Sequence, residues 1–269
     1  MSQHTAWVPL QDIPVDAKEL LLLKRDYLVP LIHDQSRLNR YADQIIQAQS
    51  VLLSGVDPHL TQQMSQSIER LIGVLNQSTK VLKPKKFNAL QRWFGFDLEH
   101  ASQQINYYKS LEHDIDRTNQ LSQKIQVEIQ KSQARLQQLM GLREQMAKHI
   151  QAAEEFLDEY PQFVQSSDAL GHFRERLSKK IYSLKTLQAS NDIAMSQMQL
   201  SQQLSFSLLD RYKEAQQVLL PAWQYHIQQS QMPHSQHNLS SLEKSRQKLI
   251  KTLKQSIEHT AKQNNKGEI

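Results

Sequence analysis

The sequence predicts an all-α protein: an elongated antiparallel coiled-coil hairpin of two long helices, with shorter N-terminal helices packed alongside and a basic C-terminal helix. Three observations lead there. Two stretches hold an alternating four-three spacing of core positions over many turns. Turn formers are scarce, with 6 Gly and 8 Pro in 269 residues. The composition leans on residues a helix accepts, 39 Gln among them, while aromatics reach only 7%, which favours long helices over sheets.

From the N-terminus, residues 1–15 hold Pro9 and Pro14 and read as irregular. Asp16 fits a helix N-cap, with Glu19 three residues on in the capping-box position. Pro30 is expected to kink or split the helix that follows, because it removes a ladder bond and crowds the preceding turn. Helical pattern resumes through Leu53, "SGVDP" (54–58) makes a turn, and a second helix covers about 58–80 before "KPKK" (83–86) breaks it.

Residues 97–160 carry the strongest pattern in the chain. Core positions fall at Leu111, Ile115, Thr118, Ser122, Ile125, Ile129, Ser132, Leu136, Leu139, Arg143, Met146, Ile150, Ala153 and Leu157; ten of these fourteen are apolar. That is a heptad seam. Pro161 disfavours helix at Tyr160 and ends the element. A second seam runs through Leu184, Gln188, Asn191, Met195, Met198, Gln202, Ser205, Leu209, Tyr212, Gln216 and Leu219, five of them polar. Buried Gln and Asn cost stability but fix register. A third layer from helices in 16–80, or a second copy of the chain, is expected to cover them. The short connection folds the second long helix back on the first. The chain divides accordingly into an N-terminal helical region (1–80), the long hairpin (81–230) and a basic helical tail (231–269).

Charge is concentrated at the end. The net charge is +5, and residues 239–269 hold seven Lys and Arg against three acids. Lys244, Arg246, Lys248, Lys251 and Lys254 form this basic stretch, read as a solvated tail or as a face for an acidic surface. Cysteine is absent, which removes thiolate catalysis and Cys-ligated metal and fits a reducing compartment. The longest apolar run, Leu20 to Leu23, is far short of the ~20 residues that span a bilayer. No signal-peptide pattern is seen in residues 1–30. A cytoplasmic location is the expectation, with a peripheral position at the inner membrane as the variant of it.

No catalytic, cofactor-binding or metal-ligating set emerges. GxxxxGK[ST], GxGxxG, GxSxG and HExxH are all missing. Glu154, Glu155, Asp158 and Glu159 pair carboxylates at i,i+4, which a divalent ion can bridge but which a solvated helix end explains better. His226, His234 and His237 lack regular ligand spacing. The least ordinary segment is "KPKKFNALQRWFGFD" (83–97), where Phe87, Arg92, Trp93 and Phe94 combine aromatic and basic groups. Such a turn can sit on an anionic membrane, stack on single-stranded nucleic acid, or form a corner buried against the long helices.

These residues also carry a resemblance. The basic, aromatic turn ending in Phe94-Gly95 leads into a long helix through "ASQQINYYKSLEHDIDR" and "LREQMAKHIQAAEEF". It is followed by "LKTLQASNDIAMSQMQLSQQLSFSLLDRYKEAQQVLLPAWQYHI". This order resembles the toxic anion resistance (TelA-like) family associated with tellurite resistance, over roughly residues 80–229. The nearest match is the Gln- and Asn-rich helix running into Leu220, Pro221, Ala222 and Trp223. The resemblance implies a cytoplasmic helical stress protein without a known catalytic site. The two seams and the missing site motifs point to a non-enzymatic, rod-like scaffold for protein partners or for itself, with no cofactor expected. The alternative is a peripheral module that binds anionic membrane, or less readily nucleic acid, through residues 83–97 and the basic tail. Pro221 is expected to turn the chain at the end of the second long helix, so that Trp223 packs on Trp93 and Phe94.

Overall fold

The computed structural model describes residues 7–32, 34–54, 59–82, 88–93, 95–162, 167–230 and 238–264. Among them there is no strand, and the all-α expectation is met. The helices are α1 (Ala17–Leu23), α2 (Gln35–Asn39), α3 (Asp43–Ser54), α4 (His59–Val81), α5 (Ala89–Trp93), α6 (Phe96–Glu159), α7 (Ser167–Glu214), α8 (Leu220–Ser230) and α9 (Asn238–Asn264). Asp16 caps α1 as expected, accepting the Lys18 N–H. Glu19, assigned to the capping box, instead pairs with Lys148 of α6 at 2.6 Å.

The chain forms two compact units, Met1–Val56 with Ser132–Leu200 and Asp57–Lys131 with Ser201–Ile269. These boundaries follow tertiary contacts and cut across α6 and α7, whereas segments 1–80, 81–230 and 231–269 follow breaks in the sequence. Every one of the fourteen positions of the first seam and the eleven of the second is buried or half-buried.

In the first unit, α6 and α7 run antiparallel: Arg143 meets Asp192, while Glu154 meets Lys185. Leu28, Leu31, Leu38, Tyr41 and Ile45 of the N-terminal segments pack onto Met146, Ile150 and Phe156 of α6 and Phe173, Leu177 and Ile181 of α7. Phe156, Tyr160 and Phe173 cluster with ring centroids 5.2–6.3 Å apart. Tyr160 lies in the 3-10 turn Tyr160–Gln162, where Pro161 stops α6 as its geometry requires.

In the second unit, the same two helices are again antiparallel: Tyr212 reaches Asn119, and Gln202 reaches the Ile129 carbonyl. The third layer is α4, through Met64, Ile68, Leu71 and Leu75, together with α8 and α9. The C-terminal helix is therefore built into this unit, with Leu249, Ile250 and Leu253 in its apolar core, rather than trailing from it.

The layering explains the polar seam positions. Thr118 bonds Ser67 of α4 at 2.8 Å, and Ser205 bonds Thr61 at 2.8 Å. Gln188 and Asn191 are met by Gln49 of α3. Each of these four seam groups thus has a partner, which removes most of its desolvation cost. The expected third layer is supplied within the chain.

Pro221 does not end the helix. Ala215–Leu219 forms a π-helical turn in which the Leu220 N–H bonds the Ala215 carbonyl, and α8 then continues to Ser230. Widening the turn to i→i+5 makes room for the proline ring and accommodates its missing N–H.

Candidate functional site

The densest polar arrangement among the described residues lies inside the first unit. α6 brings Arg143, α7 brings Gln188, Asn191 and Asp192, and α3 brings Gln49. Heptad spacing turns Arg143 inward at a position ordinarily apolar, and its side chain is only 7% exposed. A guanidinium there needs a paired, bidentate partner. It has one: Nε donates to Asp192 Oδ1 at 2.9 Å and Nη2 to Oδ2 at 2.9 Å. Nη2 also donates to the Val8 carbonyl at 2.8 Å, tying down the N-terminal segment.

The chain of bonds continues. Gln188 Nε2 donates to Asp192 Oδ1 at 2.7 Å, Gln49 Nε2 to Gln188 Oε1 at 2.9 Å, and Asn191 Nδ2 to Gln49 Oε1 at 2.8 Å. Trp7 Nε1 donates to Ser196 Oγ at 2.9 Å, and that hydroxyl donates to the Asp192 carbonyl. Beside the network is a cavity of about 550 Å³ bordered by Trp7, Leu10, Arg143, Gln151, Lys185 and Asp192. The paired Lys185 and Glu154 side chains are among the residues that line it. Chemically this is a connected clamp that holds three helices and the N-terminal segment in one register.

A second feature of the first unit is an open cleft of about 910 Å³ that includes Tyr27, Arg40, Tyr41, Ala42 and His149 in its lining. The His149 ring lies edge-on to Tyr27 and Tyr41, with centroids 5.6 and 5.3 Å away. The Tyr41 hydroxyl donates to the His149 carbonyl at 2.8 Å. Burial holds the His149 imidazole below its ordinary pKa and pushes the Tyr41 phenol up. The imidazole is thus neutral at neutral pH. Ala42, between α2 and α3, has a φ of 61°, a conformation that costs a non-glycine residue energy and marks a strained turn.

The residues singled out from sequence fall elsewhere. Trp223 is fully buried, but among Met64, Ile68, Leu75, Leu249 and other members of the apolar core. Trp93 is 83% exposed, so it is not the partner expected for Trp223. Phe87 and Phe94 lie outside the described residues. Arg92 and Pro221 are exposed. The expected corner is therefore replaced by a continuous helix whose Trp223 lies in the apolar core that also holds residues of α4 and α9. In the basic stretch Lys244, Lys248, Lys251 and Lys254 are exposed, while Arg246 is half-buried and paired with Glu243.

Of the acidic group, Glu155 and Glu159 hold Lys24 at 2.7 and 2.8 Å, so lysines occupy the place considered for a cation. The Lys24 hydrogen bond keeps the Glu155 carboxyl below the usual range, against the opposing effect of burial. Burial pulls on Lys24 too, but its two carboxylate partners raise its pKa. Among the described residues no group of three or more His, Asp or Glu is placed to hold a metal. His226 is half-buried on α8; His234 and His237 lie outside the described residues.

Sequence reading placed Arg143, Gln188 and Asn191 on the seams but did not single out Asp192 or Gln49. The signal was an arginine at a heptad core position, which demands an acid from a facing helix. The Tyr27–Tyr41–His149 group left no periodic trace.

The chain is similar to Protein KlaA of Escherichia coli, 25% identical over 253 residues, which cover 88% of this chain and 95% of that protein. This likeness supports the toxic anion resistance resemblance only loosely. No family model and no solved structure matches the chain.

Proposed function

We propose, with the likeness to KlaA as premise, that this chain is a cytoplasmic, non-enzymatic helical scaffold in a toxic-anion (tellurite) resistance or envelope-stress system. The observation that carries the reading is the reach of that likeness, 88% of the chain, which takes in both units rather than one module. The use of the polar groups supports it. Arg143, Asp192, Gln188 and Gln49 are engaged with one another between helices, and Lys24 is engaged with Glu155 and Glu159. A protein without thiols does not reduce tellurite through cysteine, so its contribution runs through protein partners, a second copy of the chain among them.

The test is expression of the full chain in a tellurite-sensitive bacterial host, together with affinity purification from the native host. A raised inhibitory concentration of tellurite and a defined co-purifying protein are expected. Turnover of a nucleotide or phosphoester that one point substitution abolishes would overturn the non-enzymatic reading.

A further inference from the structure

The second unit carries exposed apolar groups that its core does not use. α5 ends at Trp93 and α6 begins at Phe96, joined through Gly95 with a φ of 77°. That is the left-handed region, which glycine enters without a Cβ penalty. The turn leaves large apolar side chains in solvent: Trp93 is 83% exposed, Phe96 52% and Leu98 73%. Ile105, one heptad beyond Leu98, is exposed as well, and so is Arg92. Single exposed apolar residues are ordinary. Three within six residues around one tight turn form a patch, and such patches mark contact surfaces. Asp97 and Glu99 lie in the first turn of α6, where the helix N-terminus favours their charge.

Charge adds a second, independent observation. The second unit holds 19 Lys and Arg against 13 Asp and Glu, whereas the first holds 13 against 14. On α9, Lys244, Lys248 and Lys251 recur at four and three residues with Lys254 beside them, all exposed, while Leu249 and Leu253 face the core. The start of α6 and the middle of α9 share that core through Tyr107 and Leu249. At ~1.5 Å rise per residue, Phe96 is roughly 16 Å along α6 from Tyr107.

We propose that the second unit docks on an anionic lipid surface, with Trp93, Phe96 and Leu98 entering the headgroup boundary and Arg92 and the α9 lysines facing the lipid phosphates. Weak apolar insertion combined with a basic patch is the pairing that gives stable, reversible attachment. Nucleic acid is the poorer occupant: Leu98 and Ile105 have no π-face for a base, and residues 238–264 contain no Phe, Tyr or Trp to stack on one. No helix of the described residues is long and apolar enough to cross a membrane, so attachment through these residues is to the surface.

The experiment is co-sedimentation of the full chain with vesicles of phosphatidylcholine alone and of phosphatidylcholine with phosphatidylglycerol, at low and moderate salt. Binding confined to the anionic vesicles and weakened by salt is expected. A Trp93→Ser, Phe96→Ser, Leu98→Ser variant should lose about tenfold or more of that partitioning, as burial of apolar side chains scales with transfer. Lys244, Lys248, Lys251 and Lys254 changed together to Gln should lose the preference for anionic lipid. All seven side chains are exposed, so far-UV circular dichroism should match the parent. In a Trp7→Phe background, vesicles should blue-shift the Trp93 emission while that of buried Trp223 stays put. No binding to anionic vesicles at low salt overturns the proposal. So does binding that the triple variant retains in full, or a nucleic-acid shift at the same salt with no vesicle binding.

Discussion

Each unit contains a π-helical turn that ends two residues before a proline, and the chain then behaves in opposite ways. Before Pro30 the Val29 N–H bonds the Lys24 carbonyl; before Pro221 the Leu220 N–H bonds the Ala215 carbonyl. Both turns widen for the same reason, since the proline ring displaces the carbonyl four residues back. After Pro30 the helix dies in the 3-10 turn Val29–Ile32. Asp34 then starts α2, its carboxylate accepting the Ser36 and Arg37 N–H groups. After Pro221 the helix runs on to Ser230, with Trp223 and Ile227, one turn apart, both in the apolar core. Proline sets a local disturbance; whether the helix survives it is decided by what the next turn can bury or cap.

The sharpest way to break this comparison is to remove the anchor. Trp223→Ala should destabilise the second unit by about 3–5 kcal/mol, the scale for emptying a buried aromatic site. Chemical denaturation followed by Trp223-sensitive fluorescence in the parent, and by circular dichroism in the variant, measures it. An unchanged midpoint would sink the anchoring account.

Next in size is the polar clamp of the first unit. Arg143→Met leaves the Asp192 carboxylate and the Val8 carbonyl without their partner and should cost about 3 kcal/mol. Adding Asp192→Leu should recover a large part of that loss, because an apolar pair of similar volume no longer buries a lone charge. A double variant no more stable than the single would show that the clamp does not act as a pair.

A smaller effect is expected with pH. His149 has its folded-state pKa depressed by burial, so the unfolded chain takes up a proton there first. The stability it contributes is present above the unfolded value of about 6.5 and is lost as pH falls from there through the folded value. His149→Gln should flatten the acid side of the stability profile relative to the parent. An equally steep decline in the variant would assign that slope to other groups.

Smaller still are the changes at the breaks themselves. Asp34→Ala removes the α2 cap and should cost ~1 kcal/mol, with no effect on the Trp223 signal. Pro221→Ala restores an N–H at an exposed helical position and should shift stability by less than about 1 kcal/mol. If Pro221→Ala instead matched Trp223→Ala, the π-helical turn rather than the buried tryptophan would be holding α8 in place.

Much of this architecture was legible before any coordinates. Periodicity placed both ends of α6 within a residue or so, but it ended the second long helix at Pro221, where the chain instead passes through a π-helical turn and runs on as α8 to Ser230. It also put all of their seam residues, polar ones included, toward the interior. It succeeds because a helix presents every third and fourth residue to one side whatever its surroundings. The basic patch was equally visible, since charge is a sum over the chain.

What the sequence left undecided were the partners. Arg143 at a seam position announced that an acid must face it, but only packing of α6 on α7 chose Asp192, and only packing of α3 supplied Gln49. Trp223 was expected against Trp93 because both flank the ends of long helices. In the fold, Trp223 joins the apolar core that includes α4 and α9 residues, and Trp93 is left in solvent. The tyrosine pair around His149 joins residues more than a hundred positions apart. Local geometry repeats along the chain and can be read from it. Which faces meet depends on how several helices share one limited apolar surface, and that competition is settled only when they pack.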